Sequence, residues 1–265
     1  MLADMHMHTE YSEDSCAKLD SMVEKAIAVG VEAICVTDHI DWDFPEKNLI
    51  FDYDVDAYQR DIARAKEKYK GRLEIFMGVE LGMQPHLAER YQEFLKKYPF
   101  DFVIGSVHLV NNRDPYYKEA FEGLEDAQAY RMYFENILAN IKAFRDFDSL
   151  GHLDYIVRYG KNKARDYSYS QFADIIDEIL KELILHGKAL EVNTAGYRKL
   201  GFPNPHPDVI CRYRELGGEM ITVGADAHKP SHVGYDFKKV AQLLKNCGFT
   251  HYTRFKDRKP EFRPL

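Results

Sequence analysis

An α/β fold organised on a parallel sheet or barrel is what this 265-residue sequence predicts, on three grounds. Seven short, nearly continuous apolar runs read as strands covered on both faces. Segments with helical spacing separate them, so that successive strands run parallel through right-handed crossovers. Almost every run ends on, or leads into, an imidazole or a carboxylate, at the strand ends where folds of this class place their chemistry.

The first run, Leu2 to Met7, carries His6 and leads to His8; alternate residues of an extended chain share a face, so both rings point the same way. Met22, Val23, Ala26 and Ile27 then share a helical face before Gly30. The second run, Glu32 to Thr37, leads to His39, and Tyr58, Ile62, Ala65 and Tyr69 form a helical stripe before Gly71. The third, Leu73 to Glu80, closes on Glu80, and the fourth, Phe102 to Leu109, holds His108. Asn111 to Glu125, with Pro115 and several charges, reads as a loop over the rim and a candidate lid. Tyr130, Phe134, Ile137, Leu138 and Ile141 form a longer stripe, and Phe147 to Leu150 precedes His152. The helical face from Phe172 through Ile176 and Ile179 to Ile184 follows a candidate N-cap at Ser170 and ends at Gly187, a natural C′ residue. Ala189 to Asn193 is the sixth strand, and Val209, Ile210, Tyr213 and Leu216 share a face before Gly217-Gly218. Met220 to Gly224 is the seventh, leading to Asp226 and His228; Phe237, Val240, Leu243 and Leu244 precede Gly248. The tail from Arg254 is polar and reads as loosely packed.

With 45% hydrophobic residues the chain is expected to form one domain over residues 1–265. A formal net charge of −7 argues against a polyanion-binding surface, so a small molecule rather than nucleic acid is the expected partner. No apolar run approaches a membrane span, and candidate ligands from His6 onward leave no room for a cleavable leader; a soluble, cytoplasmic protein without a membrane partner is expected. Cys16, Cys35, Cys211 and Cys247 show no close paired spacing and are too few for a secreted disulfide framework, which fits a reducing compartment. The sequence is silent on oligomeric state.

Six of the eleven histidines, His6, His8, His39, His108, His152 and His228, fall at or just after strand ends. One histidine there is ordinarily a hydrogen-bonded surface residue, but six unpartnered buried imidazoles would cost several kcal/mol. A metal cluster removes the conflict. Asp226-Ala-His228 repeats the geometry of His6-Met-His8, and Glu80 supplies a carboxylate able to bridge two cations. Mixed imidazole and carboxylate donors suit Zn, Fe, Mn or Co alike.

The motifs His6-Met-His8-Thr-Glu-Tyr-Ser, Thr37-Asp38-His39, Gly78-Val-Glu80, Gly105-Ser-Val-His108, Gly151-His152-Leu-Asp154 and Gly224-Ala-Asp226-Ala-His228 resemble, in order and spacing, those of the PHP (polymerase and histidinol phosphatase) family. Gly151 to Arg158 and Leu190 to Lys199 resemble its histidinol-phosphate phosphatase branch. The resemblance implies a distorted (β/α)7 barrel, TIM-barrel-like, with three divalent metal ions at the C-terminal rim of the strands. It implies one ion held by His6, His8, Glu80 and Asp226, a second by Glu80, His108 and His152, and a third by His39, His228 and Asp14. Many family members have His where this chain has Asp14, and the adjacent Glu13 is the alternative third-site ligand. Arg158 and Arg198 resemble the family's phosphate-gripping arginines, whose planar forks match phosphate oxygens and the transition-state charge. Asp38 and Asp154 are expected either to orient His39 and His152 or to cap the helices that follow. Asn193 is expected to contact substrate or fix the turn before Gly196, and Asp41, Trp42 and Asp43 are candidates for meeting a cationic imidazole or amine.

The implied activity is metal-dependent hydrolysis of L-histidinol phosphate to L-histidinol and phosphate, the phosphatase step of histidine biosynthesis, with hydroxide on the metals as nucleophile. The implied ions outweigh the carboxylates of Asp14, Glu80 and Asp226, giving a pocket that attracts a phosphate dianion in an acidic protein. The alternatives are another PHP-family hydrolase, such as a phosphotyrosine phosphatase or a nuclease, and a non-catalytic metal-binding regulatory protein. Net acidity and the lack of an interleaved basic and aromatic stripe weigh against the nuclease.

Overall fold

A computed structural model describes residues 2–46, 48–162, 165 and 167–265, with the backbone alone at 118 and 119. Its strands β1 (Ala33–Val36), β2 (His39–Ile40), β3 (Glu74–Gly82), β4 (Phe102–Ser106), β5 (Ser149–Leu150), β6 (Ala189–Asn193) and β7 (Ile221–Gly224) pair in parallel, with β1 and β2 in line beside β3 and the rest following in chain order. Residues 2–8 lie between β1 and β7 and close the ring. Asp4 N–H donates to Ala33 O at 2.9 Å on one side, and Met5 N–H donates to Val223 O at 2.9 Å on the other. The result is the distorted (β/α)7 barrel expected.

The closing segment is not the regular strand predicted over Leu2 to Met7; it makes only the isolated bridges Asp4↔Ile34 and Met7↔Ala227. The buried Asp4 carboxylate interrupts the ladder by accepting from Ala225 N–H and Gly234 N–H, both at 2.9 Å. Burial pushes its pKa up to about 6, against the pull of those backbone donors.

Helices α1 (Leu19–Val29), α2 (Val55–Lys68), α3 (Ala88–Leu95), α4 (Asp126–Ala143), α5 (Ala173–Leu185), α6 (Ala195–Lys199), α7 (Pro207–Glu215) and α8 (Phe237–Asn246) cover the barrel. The stripe on α2 is buried as its spacing requires, and Asp54 caps the helix by accepting from Ala57 N–H at 3.0 Å. Tyr58 then pins α2 to the barrel, donating its hydroxyl toward Val36 O and Gly78 O. Ser170 does not cap α5. It lies in a 3-10 turn, Tyr169–Gln171, whose capping box is Ser168 with Gln171, and α5 begins only after Phe172. The segment 111–125 carries turns and a short 3-10 helix, Lys118–Phe121.

The polar tail is the largest departure from expectation. Strands β8 (His251–Lys256) and β9 (Lys259–Pro264) form an antiparallel hairpin turned by Asp257 and Arg258, at φ 50° and 61°. It covers the amino ends of the barrel strands. Phe255 stacks on Phe102 at 5.2 Å between ring centroids, Tyr252 OH accepts from Ala3 N–H, and Arg258 Nε donates to Asp148. Cys211 on α7 and Cys247 beyond α8 form a disulfide, while Cys16 and Cys35 are free. Linear spacing hides this pair because 36 residues separate two half-cystines whose Cα atoms lie 4.6 Å apart. Among the described residues no helix is long and apolar enough to cross a membrane.

Replacing Phe255 with Ala should cost about 3–5 kcal/mol in urea unfolding, as for other buried aromatics. A cost below about 0.5 kcal/mol, typical of surface substitutions, would instead mean a loosely packed tail.

Candidate metal centre and active site

Five of the six histidines singled out in the sequence converge on one carboxylate. Glu80, inside β3 and fully buried, has Oε1 2.9 Å from His152 Nε2 and 3.2 Å from His108 Nε2, and it also accepts from Ser106 Oγ at 2.6 Å. Its Oε2 lies 3.0 Å from His6 Nε2, 3.1 Å from His39 Nδ1 and 3.4 Å from His8 Nε2. Parallel register does this: His39 sits opposite Glu80 in the β2 to β3 pairing, and Glu80 opposite Ile104 in the next.

Asp226, at φ 49° after β7, brings Oδ1 to 3.3 Å from His8 Nε2 and 3.8 Å from His6 Nε2. Asp14, rather than Glu13, turns toward the remaining imidazoles, with Oδ2 3.0 Å from His228 Nε2 and Oδ1 3.9 Å from His39 Nε2. His8 stacks on both His39 and His228, at 4.1 and 4.2 Å between centroids. All nine candidate ligands thus meet at one rim.

The outer contacts fix which ring nitrogen faces inward. His6 Nδ1 lies 2.5 Å from Glu191 Oε1, and Glu191 Oε2 accepts from His152 N–H at 2.8 Å. Glu191 was missed in the sequence because it lies within an apolar strand; a lone acid at a buried position of β6 was the signal available. His108 Nδ1 lies 2.7 Å from Asp41 Oδ1, and His39 Nδ1 lies 3.4 Å from Asp41 Oδ2. Asp41 is therefore committed to two imidazoles of the cluster, while Asp43 pairs with His86 and Trp42 stacks on Tyr91.

Asp38 does not reach the His39 ring. It accepts from Thr9 N–H and Ser12 Oγ, and Ser12 in turn meets His8 Nδ1 at 3.0 Å and accepts from His39 N–H. Nor does Asp154 orient His152: it accepts from Asn204 Nδ2 at 2.6 Å and His206 N–H at 2.8 Å, tying down the Asn204-Pro205 segment, and its side chain makes no cap to the 3-10 helix Tyr155–Tyr159. Asn193 fixes the turn, accepting from Ala195 N–H and donating to Glu191 and Asp226.

Charge follows from this packing. Burial works against a proton on His6, but Glu191, Glu80 and Asp226 outweigh it and raise its pKa well above the usual imidazole range. His39 is likewise pushed up to about 9 by Glu80 and Asp14 against burial, and His108 well up by Asp41 and Glu80. His8 goes the other way, to about 3, through burial and then the neighbouring His228 and His39. Burial opposes ionisation of Glu80 and Asp226 too, yet the surrounding imidazoles hold both well below the carboxylate range.

The donor set fits divalent cations. His6 Nε2 and His8 Nε2 face each other at 3.1 Å, both pointing away from their outer partners, and His152 Nδ1 is buried with no hydrogen-bond partner among the described residues. Trios such as His6, His8 and Glu80, or His39, Glu80 and His108, bring one ligand atom each within 4.8 Å of one another, the convergence a cation requires.

Above the cluster opens a cavity of about 340 Å³, within the range of small-molecule sites. Arg158 lines it from the 3-10 helix Tyr155–Tyr159, with its guanidinium 4.0 Å over the Tyr155 ring and its buried Nε unpartnered among the described residues. Arg198 lies on α6, where the sequence suggested only a turn, and donates to Ala225 O and Asp226 O at 3.3 and 3.5 Å. It does not line the cavity.

A family model described as PHP domain matches residues 4–195. A probable histidinol-phosphatase of Clostridium acetobutylicum is 34% identical over 93% of this chain and 94% of its own length. The histidinol-phosphatase of Lactococcus lactis subsp. lactis is 31% identical over 97% and 95%. A crystal structure of the Lactococcus lactis histidinol phosphate phosphatase, complexed with zinc, L-histidinol and phosphate, superposes with a TM-score of 0.92, covering 98% of this chain and 100% of that one. A Listeria monocytogenes chain, 21% identical, shares the fold with a TM-score of 0.79.

Glu191→Gln should weaken metal binding about tenfold to a hundredfold with the fold intact, as loss of an outer carboxylate does elsewhere. Chelator competition followed by metal analysis reads this directly, and unchanged affinity would remove Glu191 from the site.

Proposed function

The chain belongs to the PHP-domain family, and from that premise we propose that it is a metal-dependent phosphomonoesterase that hydrolyses L-histidinol phosphate to L-histidinol and phosphate. The observation that carries this reading is one cavity with an imidazole and carboxylate floor and an unpartnered buried guanidinium nitrogen in its wall. Cation sites and a phosphate fork in one small cleft are the requirements of phosphoryl transfer to water. The family match ends at residue 195, yet Asp226 and His228 face the same cluster, which supports a single catalytic domain over residues 1–265.

In this reading His6, His8, Glu80 and Asp226 hold one ion, Glu80, His108 and His152 a second, and His39, His228 and Asp14 a third, with zinc the first candidate because the Lactococcus protein was crystallised with it. When bound, the ions supply an activated water and neutralise phosphoryl oxygens. The chain's own residues do the rest. Stacking on Tyr155 holds the plane of Arg158, so its free N–H groups meet phosphate oxygens without a large ordering cost. Arg198, whose present bonds are long, swings its fork from the Ala225 and Asp226 carbonyls to a second pair of oxygens, and the two guanidiniums offset the charge of the trigonal-bipyramidal transition state. A small phosphate ester in the cytoplasm is the expected partner.

Arg158→Ala and Arg198→Ala should each lower kcat/KM about tenfold to a hundredfold, the loss of one charge-assisted contact, with metal content unchanged. Arg198→Lys should recover part of the activity. Steady-state kinetics with metal analysis separates the roles: loss of metal together with activity in Arg198→Ala would make Arg198 a support for Asp226 and not a phosphate ligand.

A further inference from the structure

Five carboxylates line the active-site cavity, and four of them, Asp14, Asp41, Glu80 and Asp226, are engaged by imidazoles. The fifth, Asp114, makes no hydrogen bond or ion pair to an imidazole among the described residues, although His108 lies near enough to act on its charge. It follows a two-residue turn in which Asn111 and Asn112 adopt φ 50° and 58° and Val110 and Arg113 exchange both backbone hydrogen bonds, at 2.9 and 3.0 Å. That turn delivers Asp114 to the cavity mouth. One carboxylate oxygen accepts from Tyr116 N–H at 2.8 Å, and among the described residues no basic side chain pairs with the other. The Tyr116 ring lies edge-on to Tyr159, 6.4 Å between centroids, so the loop reaches the 3-10 helix that carries Arg158. Phe44, Phe51 and Tyr117 complete an aromatic rim.

Resting on the phosphomonoesterase reading, we propose that Asp114 is the specificity residue that reads a positively charged nitrogen on the leaving alcohol, so that the site takes aminoalkyl or imidazolylalkyl phosphates over uncharged esters. The cation-holding floor repels such a nitrogen, and the phosphate must occupy that floor. The charged end of the substrate therefore points to the mouth, where half-buried Asp114 has an acceptor oxygen to spare and aromatic faces favour a cation or an imidazole ring. Of the two acids suggested by the sequence for this task, Asp41 is already spent on His108 and His39, and Asp43 pairs with His86 and does not line the cavity.

The test uses metal-replete full-length enzyme, wild type and D114N, on two pairs of esters: L-histidinol phosphate with phenyl phosphate, and phosphoethanolamine with ethyl phosphate. Asn keeps the acceptor for Tyr116 N–H, so the turn is preserved. Wild type should prefer the charged member, and D114N should shrink that preference about tenfold to a hundredfold, chiefly through KM, with metal content unchanged. If wild type ignores L-histidinol phosphate but prefers phosphoethanolamine in an Asp114-dependent way, the substrate assignment fails and the role of Asp114 stands. The role of Asp114 is overturned if wild type shows no charge preference in either pair. It is equally overturned if D114N leaves the preference intact or lowers charged and uncharged esters by the same factor.

Discussion

Everything at the carboxyl rim depends on keeping an ionised carboxylate, Glu80, at zero exposure in the middle of a barrel. A lone buried charge of this kind costs several kcal/mol and would ordinarily be protonated or expelled. Here five imidazoles from four different staves, His6 and His8 sharing the closing segment, surround it together with Ser106, and each stave must stop at the right height for its rings to arrive. The closeness of those approaches leaves no room for side chains between them. A Cβ at Gly151 would run into Ser106 Oγ, and one at Gly224 would overlap the His6 side chain and approach Glu191. Gly151 and Gly224 are thus spacing devices for the charge cluster, while Gly78 and Gly105 make room for core side chains.

A second layer turns the cluster from a set of buried acids and bases into an ordered donor set. Glu191, Asp41 and the Ser12 and Asp38 relay each take one nitrogen of a ring, His6, His108 and His8 respectively, and leave the other facing inward. All three of these carboxylates come from different β/α units than the ring they hold, directly or through Ser12, so the barrel must be closed before the donors are aligned. The covering hairpin of β8 and β9 and the closing segment 2–8 meet at Tyr252 and Ala3, which couples the far end of the barrel to the segment that carries His6 and His8.

The strand runs, most helical stripes and the ligands at strand ends were legible because they follow periodicity and strand-end placement, both local properties, whereas Asp14 was implied only by the family resemblance, with Glu13 as the alternative. The hairpin was not, since its polar alternation looks like solvated chain until Tyr252 and Phe255 are seen to face the barrel. Carboxylate partnerships were legible only as to layer. Asp38, Asp41 and Asp154 are all buried beside the cluster as strand-end acids should be, but which ring or backbone group each one meets is decided by side chains from other units, and spacing does not encode that. Helix α6 escaped because five residues bracketed by Thr194 and Leu200 carry too little periodicity to separate a helix from a turn. The disulfide escaped for the same reason as the carboxylate pairs, as a contact between distant units.

The convergence on Glu80 has one direct physical readout. Crystals grown with zinc and inorganic phosphate, measured at wavelengths on either side of the zinc edge, should show anomalous peaks about 2.0–2.2 Å from the oxygens and ring nitrogens turned inward. One peak should lie between His6, His8 and Asp226, another between His108 and His152, and Glu80 should be bonded to both. Zinc-replete protein with no anomalous peak among these side chains, or with peaks that leave Glu80 uncoordinated, would contradict the metal centre and the phosphatase reading built on it.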